Sequence, residues 1–256
     1  MTIKQYNYDK LAEYYDVLEL KASNNYEQKN DFLDKIFKKN KVKTVLDMTC
    51  GTGAQAIGIH KRGYKVTASD ISKGMLEVAK KKAKGLDIKF YHGDIRTSQF
   101  GKFDAVIAIF NAIGHLSKKE FEEAIGNVSK NLNRSGCFIF DIFNLDFMKA
   151  GGFKDYEFID TALTYEEVKY VRFNKNKMDF ENGLMEINQR TYIQSKIDKP
   201  QVLKESWGMQ IYSADDLKIL LEKNGFEVLN FYDGDGKEFI KNKSLSVFIA
   251  AQIRNR

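Results

Sequence analysis

The sequence predicts an α/β fold: a mostly parallel seven-stranded sheet with an antiparallel last strand, helices on both faces, and a small antiparallel β insertion. Three observations support this prediction. Short β-rich runs alternate with longer amphipathic stretches, and a glycine-rich turn joins the first run to a helix. The last two β-rich runs are joined by a polar segment that is too short for a crossover helix, so they should be antiparallel neighbours.

The alternation assigns the elements of this sheet in chain order. Strands are predicted over 43–47, 65–70, 88–92, 103–109, 137–142, 226–231 and 245–251, and helices over 54–62, 73–84, 118–132 and 214–224. Ser72 and Ser117 stand at two predicted helix starts, where a serine oxygen accepts a hydrogen bond from the first turn. Glu120 completes a Ser-x-x-Glu capping box with Ser117. These residues indicate where two of the helices begin.

The pattern changes after the fifth strand. From 164 to 212 the sequence alternates polar and apolar residues over long runs, which are separated by the turn-like NKNK at 174–177 and by a loop that contains Pro200. Alternation with a period of two is typical of half-buried antiparallel strands. We therefore predict an antiparallel β meander, inserted into the α/β scaffold and too small to be an independent domain.

The composition, with 43% apolar and 30% charged residues among 256, is that of one globular domain spanning 1–256. The longest apolar run, 105–110, is far shorter than the roughly 20 residues that cross a bilayer. Because the N-terminus also has no apolar stretch of signal-peptide length, we predict a cytoplasmic protein without membrane contact. The two cysteines match no disulfide or zinc motif, so no metal site is predicted. The net charge of +6 is spread over scattered lysines, which disfavours a nucleic-acid platform.

The strongest local signal is VLDMTCGTGAQAIGI at 45–59. A buried strand ends at Asp47, and Gly51 and Gly53 form a turn that leads directly into a helix. Residues without a side chain let a ligand approach the backbone closely, and the N–H groups of the helix start face that ligand. The same letters also fit the G-x-G-x-x-A pattern of dinucleotide sites, or a tight turn that binds nothing.

Two aspartates follow the next two strands. Asp70 ends the second strand, where an acid can accept hydrogen bonds from both hydroxyls of an adenosine ribose. Asp94 follows the third strand, in position to accept from an adenine amine. Apolar walls for the ring are predicted at Ile71, Met75 and Ile95. The alternatives are that Asp70 caps the following helix and that Asp94 belongs to a surface turn.

In this order the motifs resemble those of class I S-adenosylmethionine-dependent methyltransferases. The matching segments are DMTCGTG, TASDIS, GDIR and FDAVIAIFNAIGHL. The resemblance implies a Rossmann-like fold, S-adenosylmethionine as cofactor and S-adenosylhomocysteine as product, with Asp47 helping to hold the amino group of the methionine moiety. The predicted cofactor-binding residues are Tyr15, Asp47, Cys50, Gly51, Gly53, Asp70, Ile71, Met75, Gly93, Asp94, Ile95 and Phe110.

The segment NAIGHL is similar to the acceptor region of small-molecule N-methyltransferases that act on glycine, sarcosine or amino sugars. The resemblance makes Asn111 and His115 the predicted catalytic residues, together with Tyr14 from an N-terminal helical lid over 1–40. The 164–212 insertion is predicted to cover the acceptor site. Structural alternatives stay open: His115 bonded to backbone at a helix start, lid tyrosines that only pack on the core, and Trp207 as core filling.

One departure concerns the carboxylate of the acceptor. Glycine-type relatives place an arginine shortly after the fifth strand, where this chain has Phe143, so a carboxylate clamp is not predicted. We predict N-methylation of a small-molecule acceptor by a monomer or homodimer. The alternatives are a non-catalytic nucleotide-binding regulator and an RNA methyltransferase. A dehydrogenase is disfavoured because the sheet ends antiparallel and no second substrate domain is present.

Overall fold

The computed structural model describes residues 6–21 and 26–254, in which two sheets form. The larger sheet has seven strands in the order β10-β11-β5-β4-β1-β2-β3, and the smaller has four in the order β6-β7-β8-β9. The strands are β1 Thr44–Asp47, β2 Lys65–Asp70, β3 Ile88–His92, β4 Phe103–Ala108, β5 Leu132–Phe143, β6 Phe158–Tyr165, β7 Val168–Asp179, β8 Leu184–Ser195, β9 Gln201–Gln210, β10 Phe226–Tyr232 and β11 Ser246–Ile253. The β1–β5 strands pair in parallel, whereas β11 is antiparallel to both neighbours, which confirms the predicted Rossmann-like sheet.

Helices cover both faces of the larger sheet. They are α1 Tyr8–Tyr15, α2 Tyr26–Lys39, α3 Ala54–Lys61, α4 Lys73–Lys82, α5 Lys118–Asn131 and α6 Ala214–Lys223, with a π-helical turn at Asp16–Lys21 and a 3-10 turn at Ala112–His115. The predicted caps are confirmed: Ser72 accepts from the Met75 N–H, and Ser117 forms the capping box with Glu120.

Alternate side chains of the central strands pack into two apolar layers. Val106 of β4 belongs to the layer that contains Phe121 of α5, and its neighbour Ile107 belongs to the layer that contains Phe37 of α2 and Ile59 of α3. Strands buried on both faces in this way carry continuous apolar runs. The two layers fix the sheet so that the loops after β1, β2 and β4 meet at one edge.

The strand order reverses between β1 and β4. Asp47, the last residue of β1, pairs with Ala68 of β2 on one side and with Ile107 of β4 on the other. The chain leaves β1 toward β2 and β3 and then returns to the opposite side of β1 as β4. In open α/β sheets, such a reversal opens a crevice at the carboxyl ends of the strands.

The predicted insertion begins earlier than expected, because β6 starts at Phe158 rather than at 164. The predicted NKNK turn is wrong: residues 174–177 lie within β7 and pair in register with β8. The β6–β7 turn is instead formed by Glu166 and Glu167, with φ of 48° and 64°. Two consecutive positive φ values make a hairpin turn of the type that usually carries Asn and Gly. Because this turn carries two glutamates instead, the sequence did not indicate a turn there.

Only part of the predicted N-terminal lid over 1–40 lies over the sheet edge. Residues 1–5 and 22–25 lie outside the described residues, and 6–21 lie over the sheet edge where the strand order reverses. Helix α2 instead packs into the core, where Leu33 and Phe37 are fully buried. Within the described ranges, no helix is both long enough and apolar enough to span a membrane.

Candidate functional site

A cavity opens at the carboxyl edge of the sheet, between the loops after β1, β2, β3 and β4. Many residues of the predicted site line it, namely Tyr15, Cys50, Gly51, Asp70, Ile71, Met75, Gly93, Asp94, Ile95, Phe110 and His115. Tyr8, one of the lid tyrosines predicted to close over the methionine end of the cofactor, also lines the cavity. Further lining residues that the sequence did not indicate include Tyr6, Gln55 and Arg96. We call this space the first cavity.

Asp70 ties together the loops at the floor of this cavity. One carboxylate oxygen accepts from the Gly51 N–H at 2.7 Å, and the other accepts from the Ser72 N–H at 2.8 Å. Burial raises the pKa of this carboxyl above its usual value. Because each carboxylate oxygen has a second lone pair, Asp70 retains acceptor capacity toward a ligand.

Gly51 leaves the floor open next to Asp70. Its φ is +51°, and a Cβ added there would meet no atom within 4 Å. Gly53 has a different role, because it begins α3 with a φ of +84° and its Cβ would lie 3.2 Å from the Ala79 Cβ. The structure therefore places Gly53 in the packing between α3 and α4, outside the lining of the first cavity.

Asp47 also lies outside the lining. Its side chain is buried, and one oxygen accepts from the Thr49 N–H at 3.3 Å. Burial raises the pKa of this carboxyl to about 8. Asp47 thus anchors the start of the loop that carries Thr49, Cys50 and Gly51, and its contact with the methionine moiety stays a prediction.

Asp94 is engaged by a neighbouring arginine. Both of its carboxylate oxygens accept from Arg96, including the Arg96 Nε at 3.0 Å, and these hydrogen bonds hold the pKa of Asp94 below its usual value. Arg96 also pairs with Glu120 at the start of α5. The preceding Gly93 is required by packing, because a Cβ there would lie 2.8 Å from the Phe100 ring. Asp94 therefore faces the cavity as a rigid carboxylate.

A tyrosine and a histidine form the wall of the first cavity opposite β1. The Tyr8 hydroxyl lies 2.7 Å from the His115 Nε2. Burial lowers the pKa of His115 to about 4, so its imidazole is neutral at physiological pH. Burial also raises the pKa of the Tyr8 hydroxyl well above its usual value, so Tyr8 is a neutral donor. Within the described residues, His115 Nδ1 is buried without a hydrogen-bond partner.

Behind this pair lies a second cavity, between the N-terminal segment and the four-stranded sheet. Tyr6, Tyr8, Tyr15, Phe110 and His115 line both cavities. The second cavity is completed by Leu11, Glu19, Asn111, Phe143, Asp160, Arg172, Asn174, Ile187, Gln189, Trp207 and Met209. The shared residues join the two cavities at one point, which is the arrangement needed to bring two ligands together.

The N-terminal segment is anchored to the loops of the first cavity by two aspartates. Asp9 accepts from the Ser72 hydroxyl and, at 2.8 Å, from the Gly74 N–H. Asp16 accepts from the Thr52 hydroxyl and pairs with Lys82. These contacts hold Tyr6, Tyr8 and Tyr15 over the junction of the two cavities.

Comparison with known proteins agrees with this geometry. A model of the family described as "Methyltransferase domain" matches residues 45–136. A putative methyltransferase of a Geobacillus strain is 28% identical over 173 residues, covering 64% of this chain and 67% of the relative. The glycine/sarcosine N-methyltransferase of Parasynechococcus marenigrum is 31% identical over 136 residues, covering 49% of this chain and 47% of the relative.

A solved S-adenosylmethionine-dependent methyltransferase from Clostridium acetobutylicum shares the fold, with a TM-score of 0.82 and 20% identity over 97% of this chain and 99% of that one. Residues 45–136 therefore carry a methyltransferase domain, and the chain as a whole has the fold of this solved methyltransferase. The sequence relatives match only part of their lengths, 67% and 47% in the two cases above. The solved structure is named for S-adenosylmethionine as its cofactor.

The residues of the first cavity fit this cofactor. Ile71 is an apolar side chain left 53% exposed at the cavity, as expected of a wall that a purine would cover. Asp70 supplies a carboxylate beside the open backbone at Gly51. Tyr8 and Tyr15 present aromatic rings, whose faces attract a sulfonium cation. In the described part of the methyltransferase, no group of three or more His, Cys, Asp or Glu side chains is arranged to hold a metal ion.

Tyr14, which the resemblance makes a predicted catalytic residue, lies away from His115. Tyr14 lies outside the linings of both cavities; its ring packs near Tyr170, and its hydroxyl donates to Gln201 at 3.3 Å. The tyrosine beside His115 is Tyr8. A sequence signal for this assignment exists, because Tyr8 and Tyr15 are seven residues apart and therefore share one helix face, from which Tyr14 is rotated by about 100°.

Trp207 and Arg172 are the main contributions of the insertion to the second cavity. The Trp207 ring lies 4.4 Å from the Tyr6 ring, so this residue both packs the core beneath the sheet and lines the cavity. Arg172 of β7 is buried and donates to Asp160 at 2.7 Å and to Glu19 of the N-terminal segment. Sequence reasoning missed Arg172, because nothing in the local alternation distinguishes it from the strand's other polar residues.

Proposed function

We propose that this methyltransferase transfers the methyl group of S-adenosylmethionine to the nitrogen of a small-molecule amine bound in the second cavity. The observation that carries the proposal is the Tyr8–His115 pair, which lines both cavities where they meet. A methyl transfer requires the acceptor nitrogen and the methyl carbon to be aligned without intervening water. The junction is where such an alignment is possible.

The first cavity is assigned to the cofactor. We assign the ribose hydroxyls to Asp70, the adenine ring to the apolar walls at Ile71, Met75 and Ile95, and the adenine edge to the loop of Asp94. When bound, the cofactor supplies a methyl group made electrophilic by a sulfonium. Tyr8, Tyr15 and Phe110 lie toward the second cavity, where aromatic faces favour that cation.

The acceptor must present a neutral nitrogen, so the proton of its ammonium has to leave. Burial keeps the His115 imidazole neutral and also makes it a weak base, so we assign the loss of that proton to the amine before it enters the cavity. In one tautomer, the Tyr8 hydroxyl donates to His115 Nε2, which leaves the lone pairs of the Tyr8 oxygen facing the junction. An N–H of the neutral amine can then donate to the Tyr8 oxygen, which directs the nitrogen lone pair toward the methyl group, and the product leaves as the methylated ammonium.

The charges of the second cavity favour an amine that lacks a carboxylate. Arg172 is the cation among the described lining residues, and Glu19 and Asp160 already engage its guanidinium. Two carboxylates against one guanidinium leave the lining with a surplus of negative charge, which attracts ammonium and repels carboxylate. The relative from Parasynechococcus marenigrum is named for glycine and sarcosine. We propose a different acceptor for this chain.

The experiment is a methyl-transfer assay against a panel of amines, with calorimetric titration of S-adenosylmethionine and S-adenosylhomocysteine beside it. We expect both cofactor forms to bind and at least one amine to accept methyl groups. Cofactor binding with no transfer to any amine, hydroxyl compound or RNA would favour the non-catalytic alternative. Transfer to RNA, with binding that weakens steeply as salt rises, would favour the RNA methyltransferase alternative.

A further inference from the structure

Two consecutive residues at the junction of the cavities have a backbone conformation that non-glycine residues rarely adopt. Phe110 and Asn111 follow β4 with φ of 66° and 56°, in the left-handed region. L-residues are disfavoured there because the Cβ approaches the backbone. Such a pair persists only where the surrounding structure holds it in place. The contacts that hold Phe110 and Asn111 are therefore candidates for a functional role.

The backbone of Asn111 is held by an aspartate on the adjacent strand. Asp141 of β5 is buried, and its Oδ1 accepts from the Asn111 N–H at 2.9 Å. Its Oδ2 pairs with the Lys29 Nζ at 3.0 Å. The two side chains are only 3% and 10% exposed, so this ion pair lies out of solvent.

The same lysine contacts the other left-handed residue. Lys29, on α2, places its Nζ 5.1 Å from the centre of the Phe110 ring, within the range of a cation–π interaction. The ion pair thus contacts both residues, with Asp141 on the backbone of Asn111 and Lys29 on the ring of Phe110. Neither Lys29 nor Asp141 is among the residues that line the two cavities.

The backbone conformation at Asn111 determines where two polar side chains lie at the junction, the Asn111 amide and the His115 imidazole. Asn111 lines the second cavity, and among the described residues its Oδ1 is buried without a partner. The Asn111 carbonyl accepts from the Gly114 N–H at 2.9 Å, which starts the 3-10 turn that ends at His115. A rotation of the Asn111 backbone would therefore move both the Asn111 amide and the His115 imidazole.

We propose that Lys29 and Asp141 are positioning residues for methyl transfer, which set the orientation of Asn111 and His115 from outside the cavities. Asp141 fixes the Asn111 backbone by its hydrogen bond, and Lys29 holds the orientation of that carboxylate through its contact with Oδ2. This inference rests on the proposed function, since it assigns the acceptor to the junction that Asn111 and His115 form.

A matched pair of double variants isolates the hydrogen bond from the charges. Lys29→Met/Asp141→Asn and Lys29→Met/Asp141→Leu both remove the two buried charges, but only the asparagine variant retains an oxygen for the Asn111 N–H. With the best amine of the panel, we expect kcat of the asparagine variant to exceed that of the leucine variant at least tenfold. The Kd of both variants for S-adenosylmethionine should agree within about twofold. Equal kcat values at equal cofactor affinity would overturn the proposal.

A second readout does not depend on any acceptor. In the 15N-labelled proteins, the amide resonance of Asn111 should keep the wild-type shift and slow hydrogen exchange in the asparagine variant, and should lose both in the leucine variant. An Asn111 amide that is the same in both variants would overturn the inference even if no amine were methylated. If only the proposed function is wrong, the Asn111 amide should still differ between the asparagine and the leucine variant.

Discussion

The Tyr8 hydroxyl lies 2.7 Å from the His115 Nε2, although 107 residues separate the two in sequence. The contact joins the first helix of the chain to the turn after β4, and it lies where the two cavities meet. A tyrosine that only packed an N-terminal helix onto the core would not need its hydroxyl at this place.

If the pair orients the acceptor nitrogen, removing either partner will reduce turnover more than cofactor binding. We expect Tyr8→Phe and His115→Asn each to lower kcat by about 100-fold, because a misaligned nucleophile loses much of the rate that positioning supplies. The Kd for S-adenosylmethionine should change by less than about threefold, as measured by calorimetry. The control is Tyr14→Phe, the same change on the same helix outside both cavities, which should keep wild-type kcat. Equal losses in Tyr8→Phe and Tyr14→Phe would contradict the assignment.

The stability of the methyltransferase should depend on pH through His115. Burial lowers its pKa from 6.5 to about 4, so between these values the unfolded chain binds a proton that the folded one does not. The folded state therefore has the full contribution of His115 above pH 6.5. It loses stability as the pH falls from 6.5 to 4, by about 3 kcal/mol at most. Urea unfolding at pH 7 and pH 4.5 should show a smaller decrease in unfolding free energy for His115→Asn than for the wild type. Identical decreases would show that His115 is not protonated differently on folding.

Cofactor affinity should depend on Asp70. Asp70→Asn replaces one acceptor oxygen by a donor, so the side chain can no longer accept from both Gly51 and Ser72 and still accept from a ribose. We expect at least a tenfold weaker Kd for S-adenosylmethionine, or about 1.4 kcal/mol. Asp104→Asn is the matched control, because Asp104 also accepts from backbone N–H groups, those of Lys43 and Thr44, at the opposite end of the same sheet. Equal effects of the two variants on Kd would place the ribose elsewhere.

Acceptor choice should follow the charges around Arg172. For a pair such as glycinamide and glycine, we expect kcat/KM to be at least tenfold higher for the amide, because the carboxylate must approach Glu19 and Asp160. In Glu19→Gln/Asp160→Asn the guanidinium loses both anionic partners, so the preference should shrink or reverse. Glycine preferred by the wild type would refute the proposed acceptor class.

Much of the fold follows from local sequence. The predicted strands 65–70 and 88–92 have the bounds of β2 and β3, because each is a short β-rich run with turn residues on either side. The β6–β7 turn was not predictable, because Glu166 and Glu167 adopt positive φ without glycine or asparagine. Their conformation is imposed by the pairing of the strands on either side.

Some residues of the candidate site were predictable from the sequence, and others were not. Gly51, Asp70 and His115 follow strand ends, so their place at the sheet edge could be predicted from chain order. The places of Lys29 and Arg172 could not, since each contacts a partner from a distant element, Asp141 and Glu19 respectively. Tyr8 was predicted as a lid tyrosine, but its contact with His115 was not. Such contacts depend on how helices and sheets pack, which the local pattern of a single sequence does not encode.

The ion pair between Glu19 and Arg172 crosses from a segment before the matched 45–136 region to a segment after it. In the proposed function, the charges that select the acceptor therefore lie outside the stretch that carries Gly51, Asp70 and Asp94. We expect substitutions at Glu19 and Arg172 to change which amine is accepted while the cofactor cavity keeps its lining. New acceptors could then be obtained by engineering these two flanking segments alone.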